Sequence, residues 1–319
     1  NGTLDTANLL ADALDRHRDP SILIDLVISI AEIDTAAVVA DINAARQVSN
    51  VRAADHEAVG DALTWLIGRH AEVGAKAAAN GLAGAEAAEG VVEFGLQSPA
   101  TMPFLAAFIP EYARQTAPTL AKLEAAMADL DTKLRASRGS EQAKALAEAV
   151  ALWDRYRQPV QLWDEAQGID EPESKALGER LRDLCLYMAN DHDAYDAALT
   201  IAKALRDCFG ELAGLRDLFF DDVKALERLS RGAELEKFLG PLLEVVATLR
   251  ADLSKTARSL AASGIVVSVD RDLIRLREAL EQALSDAGQG EGVAVPFFMV
   301  RDLALALHNE GDFTREALS

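Results

Sequence analysis

Apolar residues recur every three or four positions through the middle of the chain, and this spacing constrains the fold more than any other feature. Leu120, Leu123, Met127, Leu130 and Leu134 form one seam, and after Ser137-Arg138-Gly139-Ser140 the spacing resumes at Ala143, Leu146, Val150 and Trp153. Side chains three and four apart share a helix face, so two seams joined by a short loop predict an antiparallel helical hairpin. A second, longer hairpin is predicted from Leu235, Leu239, Leu242, Val246, Leu249, Leu253 and Leu260, a loop around Gly264, and then Leu273, Leu276, Leu280 and Leu284. Its helix from Pro241 to about Ala262 spans about 33 Å at 1.5 Å per residue. Such hairpins stack on the rest of the chain or present a seam to another molecule, and periodicity leaves both open.

Aromatic residues make up only 5% of a chain that is 50% hydrophobic, and Ala and Leu dominate, which suits close helix-on-helix packing better than a β-sandwich. The first 92 residues show short amphipathic segments behind helix-start signals: Thr3, Asp19-Pro20, Asp34 and Asp55, whose side-chain oxygens can accept from first-turn N–H groups. Ile22, Ile24, Leu26, Val27 and Ile30 are dense enough to be buried on most sides. From Gly74 the texture changes, with Gly81, Gly84, Gly90 and Gly95 among alanines, then Pro99, Pro103 and Pro110 around Phe104, Leu105, Phe108 and Ile109. Glycine and proline at this density shorten and bend helices. The predicted architecture is all-α: a helical bundle over residues 1–92, a Gly/Pro-rich apolar connector over 93–116, and an array of antiparallel hairpins over 117–319, solenoid-like but without a regular repeat. Phe104 and Phe108 then either pack the two halves together or form an exposed binding loop.

The 52 Asp and Glu outweigh 32 Lys and Arg, a formal charge of -20 that repels nucleic acid and anionic membrane surfaces. Acidity at this level serves solubility or an acidic docking surface. Cys185 and Cys208 show no CxxC spacing and are expected to be buried free thiols, in keeping with a cytoplasmic protein. No run of about 18 apolar residues is present to span a bilayer. The chain opens at Asn1 rather than Met and ends at Ser319 within a continuing pattern, so it is expected to be a processed form or piece of a longer protein.

Between the hairpins, Leu177, Leu181, Leu184 and Met188 form one stripe, and Tyr195, Ala198, Leu199, Ala202, Leu205 and Phe209 another. The stretch Asp193-Ala194-Tyr195-Asp196-Ala197-Ala198-Leu199 resembles the start of the second helix of a tetratricopeptide repeat, over about half of one repeat, with Arg182 and Leu186 in place of the large and small residues of the preceding helix. The block from Trp153 through Leu229, with Arg157-Gln158-Pro159-Val160-Gln161-Leu162, Leu181-Arg182-Asp183-Leu184 and Asn190-Asp191-His192, resembles the helical, TPR-like region that accompanies J-domains in some bacterial chaperone-like proteins. That resemblance implies a chaperone-associated role with an Hsp70-system partner. The His-Pro-Asp tripeptide by which a J-domain stimulates Hsp70 is absent from the 319 residues.

Motifs for chemistry do not occur. There is no GxxxxGK[ST] to cradle phosphates, His56-Glu57 is not continued to a second zinc-binding His, and no His has Glu three residues before it, as a di-iron bundle requires. Asp221-Asp222 lacks the one-turn aspartate spacing of a magnesium-diphosphate site, and Asp191-His192-Asp193 with Asp196 suits an interhelical turn that caps the next helix. Trp65, Trp153 and Trp163 are expected in the core.

No catalytic residue, cofactor or metal ligand is therefore assigned. The leading reading is a non-enzymatic scaffold, adaptor or regulatory module that binds another protein through a groove between hairpins. Its candidate contact residues are Tyr156, Gln161, Trp163, Phe104 and Phe108. The competing readings are an enzyme or small-ligand sensor whose pocket draws on residues far apart in sequence, and a self-assembling homo-oligomer.

Overall fold

The computed structural model describes residues 2–49, 51–251, 269–286 and 292–309, and every element among them is helical. Contacts divide the chain into two compact units, Asn1–Lys224 and Ala225–Ser319. The first contains helices α1 (Gly2–His17), α2 (Leu23–Ala31), α3 (Thr35–Val48), α4 (His56–Ala78), α5 (Leu82–Gly95), α6 (Met102–Ser137), α7 (Ser140–Ala166), α8 (Pro172–His192) and α9 (Tyr195–Phe209), and the start of α10 (Arg216–Ala251). Among the described residues, no helix is long and apolar enough to cross a membrane.

Local chemistry sets several of the helix starts. Asp34 accepts from the backbone N–H groups of Ala36 and Ala37, Asp55 from that of Glu57, and Asp19 from that of Ser21 at the head of the 3-10 turn Pro20–Ile22. Asp193 departs from the capping role predicted for it. It lies in the left-handed region, with φ 52°, and its carboxylate accepts from the Tyr195 hydroxyl at 2.6 Å instead of from a first-turn N–H.

The predicted hairpin is formed by α6 and α7, which pack along their length. Leu120, Met127 and Leu134 are buried against Ala143, Leu146, Val150 and Trp153. Arg138, not Gly139, takes the left-handed conformation of the turn, with φ 54°. The stripes of α8 and α9 bury Leu177, Leu181, Leu184 and Met188, and Ala198, Ala202, Leu205 and Phe209. Cys185 and Cys208 are buried free thiols, as expected.

The segment 93–116 is not a connector, and the contacts divide between Lys224 and Ala225 instead. Phe104, Phe108 and Tyr112 stack at successive turns of α6, with centroids 5.5 and 5.8 Å apart, inside a core shared by α1, α2, α4, α5 and α7. Each proline inside a helix costs about 3 kcal/mol. Burying Phe104, Leu105, Phe108, Ile109 and Tyr112 gains about 1.5–3 kcal/mol per side chain, so burial outweighs the cost of Pro110 and Pro118 together. Both prolines are exposed, as are Ala106 and Arg114, whose carbonyls lose their donors four residues on and meet water instead. Glycine serves close approach here: a Cβ on Gly84 would lie 2.1 Å from the Ala78 carbonyl oxygen, where α4 and α5 meet.

In the second unit, helices Val269–Asp286 and Val295–Asn309 pack on one another, and the Arg301 guanidinium lies 4.9 Å from the Phe298 ring centre. Leu239, Leu242, Leu280 and Leu284 are buried, in line with the second predicted seam. Leu253, Leu260 and the loop at Gly264 lie outside the described residues.

Candidate functional site

A groove of about 620 Å³ runs between α6 and α8 with Arg157 of α7 at its base. One wall is the α6 stripe Ala113, Ala117, Leu120, Ala121 and Glu124; the other is the α8 stripe Glu173, Ala176, Leu177 and Arg180. Both stripes follow the three- and four-residue helical spacing, so each wall is one continuous helix face. α7 packs against α6 and touches α8, which keeps the two wall helices apart.

Beneath the groove lies a buried polar network that the sequence did not announce. The buried Glu171 accepts from Arg157 at 2.6 Å, from the Ser174 hydroxyl at 2.6 Å, and from the backbone N–H groups of Ser174 and Glu173 at 2.7 and 3.1 Å. Burial works against its charge, but the bonds from Arg157 and Ser174 outweigh it and hold the pKa below the ordinary value. Gln161 donates to the Ser174 hydroxyl oxygen at 2.7 Å and to Asp154 at 3.2 Å. Asp154 is pushed up to about 7, by burial first and then by Glu211 and Glu89, against bonds from Gln161 and Cys208. Burial likewise raises Glu211, to which Gln158 donates at 3.4 Å, and the Cys208 thiol.

The candidate contact residues of the sequence reading are mostly inside. Phe104 and Phe108 are fully buried, Tyr156 is buried and its carbonyl accepts from Tyr112, and Gln161 belongs to the network. None of these four can touch a partner in this conformation; α6 carries the two phenylalanines into the core because the apolar i, i+4 spacing continues across Pro110. Trp163 is half-buried against the same core. Trp153 is core as expected, its indole N–H donating to Glu124 at 3.0 Å. Trp65 is not: it is 68% exposed on α4, beside Gly68, Pro110 and the ion pairs Arg69–Glu72 and Arg114–Glu111.

Asp222 is engaged by Arg182 through two bonds, at 2.5 and 3.1 Å, which gives this member of the acidic pair on α10 a structural role. Among the described residues no group of three or more His, Cys, Asp or Glu is placed to hold a metal ion. Asp154, the acid with the most perturbed ionisation, does not line the groove. No protein-family model, no curated protein and no solved structure matches the chain.

Proposed function

We propose that the chain is a protein-binding module whose partner lies in the groove between α6 and α8. The observation that carries this reading is the pair of facing stripes, small or aliphatic at six of the α6 and α8 positions between Ala113 and Leu177 and bounded by charge. Alanine walls let a third helix approach closely, and two helix faces with a floor between them are the shape that a helix-in-groove complex uses. The separation of the groove from Asp154 favours binding over catalysis, because an active site brings its perturbed acid into the cavity where substrate sits.

The test is capture from source cells with the wild-type chain and with an Ala117→Arg, Ala121→Arg variant. Both alanines are exposed, so the variant should fold, which circular dichroism and thermal melting would check. A stoichiometric protein retained by the wild type and lost from the variant supports the module. An Hsp70 among the retained proteins would carry the chaperone-system reading that the 153–229 resemblance implies. Equal retention by both chains, or a co-purifying small molecule or metal with no protein, overturns the groove-binding reading.

A further inference from the structure

We propose that the occupant of the groove is an amphipathic helix of a partner protein anchored by one acidic side chain, whose carboxylate docks on Arg157 beside Arg180. The inference rests on the protein-binding reading above and adds the chemistry by which the groove selects. The Arg157 side chain is only 10% exposed, yet it lines the groove. Its Nη2 donates to Glu171 at 2.6 Å and forms an ion pair with Glu173 at 2.9 Å. Its Nε is buried and has no acceptor. A guanidinium presents five donors in a planar fork, and a carboxylate engages one edge with two parallel bonds.

The two glutamates are not equivalent. Glu171 is 2% exposed and saturated by its own network, so it holds Arg157 in place permanently. Glu173 is 63% exposed, reaches Nη2 alone, and stands on the groove wall. It is a placeholder that an incoming carboxylate displaces at Nη2. Arg180 stands two turns along the same wall, exposed and without an ion-pair partner among the described residues, and supplies the second positive charge. Of the groove's remaining charges, Glu124 is turned to the Trp153 indole. The small wall residues Ala113, Ala117, Ala121 and Ala176 leave room for a helix backbone and its flanking small side chains, which fixes the occupant as a helix rather than a free carboxylic acid.

The experiment is a display selection of helix-forming peptides with a randomised face against the whole chain, followed by binding measurements on the enriched peptides. The expected peptides carry one Asp or Glu within an apolar i, i+3 or i+4, i+7 pattern. Glu→Gln in the peptide, or Arg180→Gln in the protein, should weaken binding about tenfold, while Glu173→Gln should strengthen it. Peptides that lose binding to Ala117→Arg but carry no acid, or that ignore Arg180→Gln, refute the acidic anchor and leave groove binding standing. Peptides that bind Ala117→Arg as well as wild type, or a selection that enriches none, refute both.

Discussion

Asp154→Asn should make the protein less sensitive to pH, and the size of the effect follows from its position. Burial, with Glu211 and Glu89 nearby, takes this carboxyl from its ordinary 3.8 to about 7, while Gln161 and Cys208 oppose the rise. A folded-state pKa above the unfolded one means that the native state holds the proton more tightly. The associated stability is fully present below about pH 4 and is lost as pH climbs through 7. At about 1.36 kcal/mol per pK unit, the interval sets a ceiling of about 4 kcal/mol on that loss. Glu211 and Glu89 are raised by burial in the same direction and share in it. Asparagine keeps an oxygen to accept from Gln161 but cannot ionise. Urea denaturation at pH 4.5 and pH 8, followed by tryptophan fluorescence, should therefore show the variant gaining about 2–4 kcal/mol on the wild type between the two values. A difference that stays constant across the range would show that Asp154 ionises freely in the fold and that the network is not what buries its charge.

Four further outcomes follow from the geometry. Glu171→Ala strands the buried Arg157 guanidinium and should cost about 3–5 kcal/mol, read by chemical denaturation at pH 7, where the Glu171 carboxylate is fully ionised. Gly84→Ala drives a Cβ into the Ala78 carbonyl and should cost about 2–3 kcal/mol, a fall of roughly 5–10 °C in Tm. Arg138→Gly relieves a left-handed residue in the α6–α7 turn and should stabilise by about 0.5–1 kcal/mol in the same melt. Trp65→Ala should change stability by less than about 0.5 kcal/mol, whereas Trp153→Ala should cost about 3–5 kcal/mol, because one indole faces water and the other fills the core against Phe209.

The parts of the fold legible in the sequence are those whose physics is local. A seam at three- and four-residue spacing needs only its own helix to declare which face is apolar, and the α6–α7 hairpin and the α8 and α9 stripes came from that alone. Asp34 and Asp55 cap because an aspartate oxygen reaches N–H groups two and three residues on, without help from the tertiary structure. Where local and long-range terms compete, the local signal misleads. Pro103 and Pro110 read as breaks, but Pro103 falls in the first turn of α6, where proline is tolerated, five buried side chains outweigh Pro110, and the predicted connector is part of the core. Trp65 was expected inside because indoles bury large areas; no sequence term records that its turn of α4 faces outward beside Gly68.

The groove was illegible for a different reason. Periodicity identifies the face of a helix that is apolar, not the face that its neighbours leave uncovered. α6 carries both: Leu120, Met127 and Leu134 meet α7, while Ala117 and Ala121 lie exposed along the groove wall. In the sequence those alanines are indistinguishable from any good helix former. They acquire meaning only because α7 stands between α6 and α8 and brings Arg157 up between two walls of small residues. The polar network has the same origin, since Asp154, Gln161, Glu171, Ser174 and Glu211 reach one another only after α7, α8 and the turn beyond α9 have packed. A helical hairpin chain thus discloses its seams in one dimension and its grooves in three, because the small residues that line this one are the residues helix propensity alone would also choose.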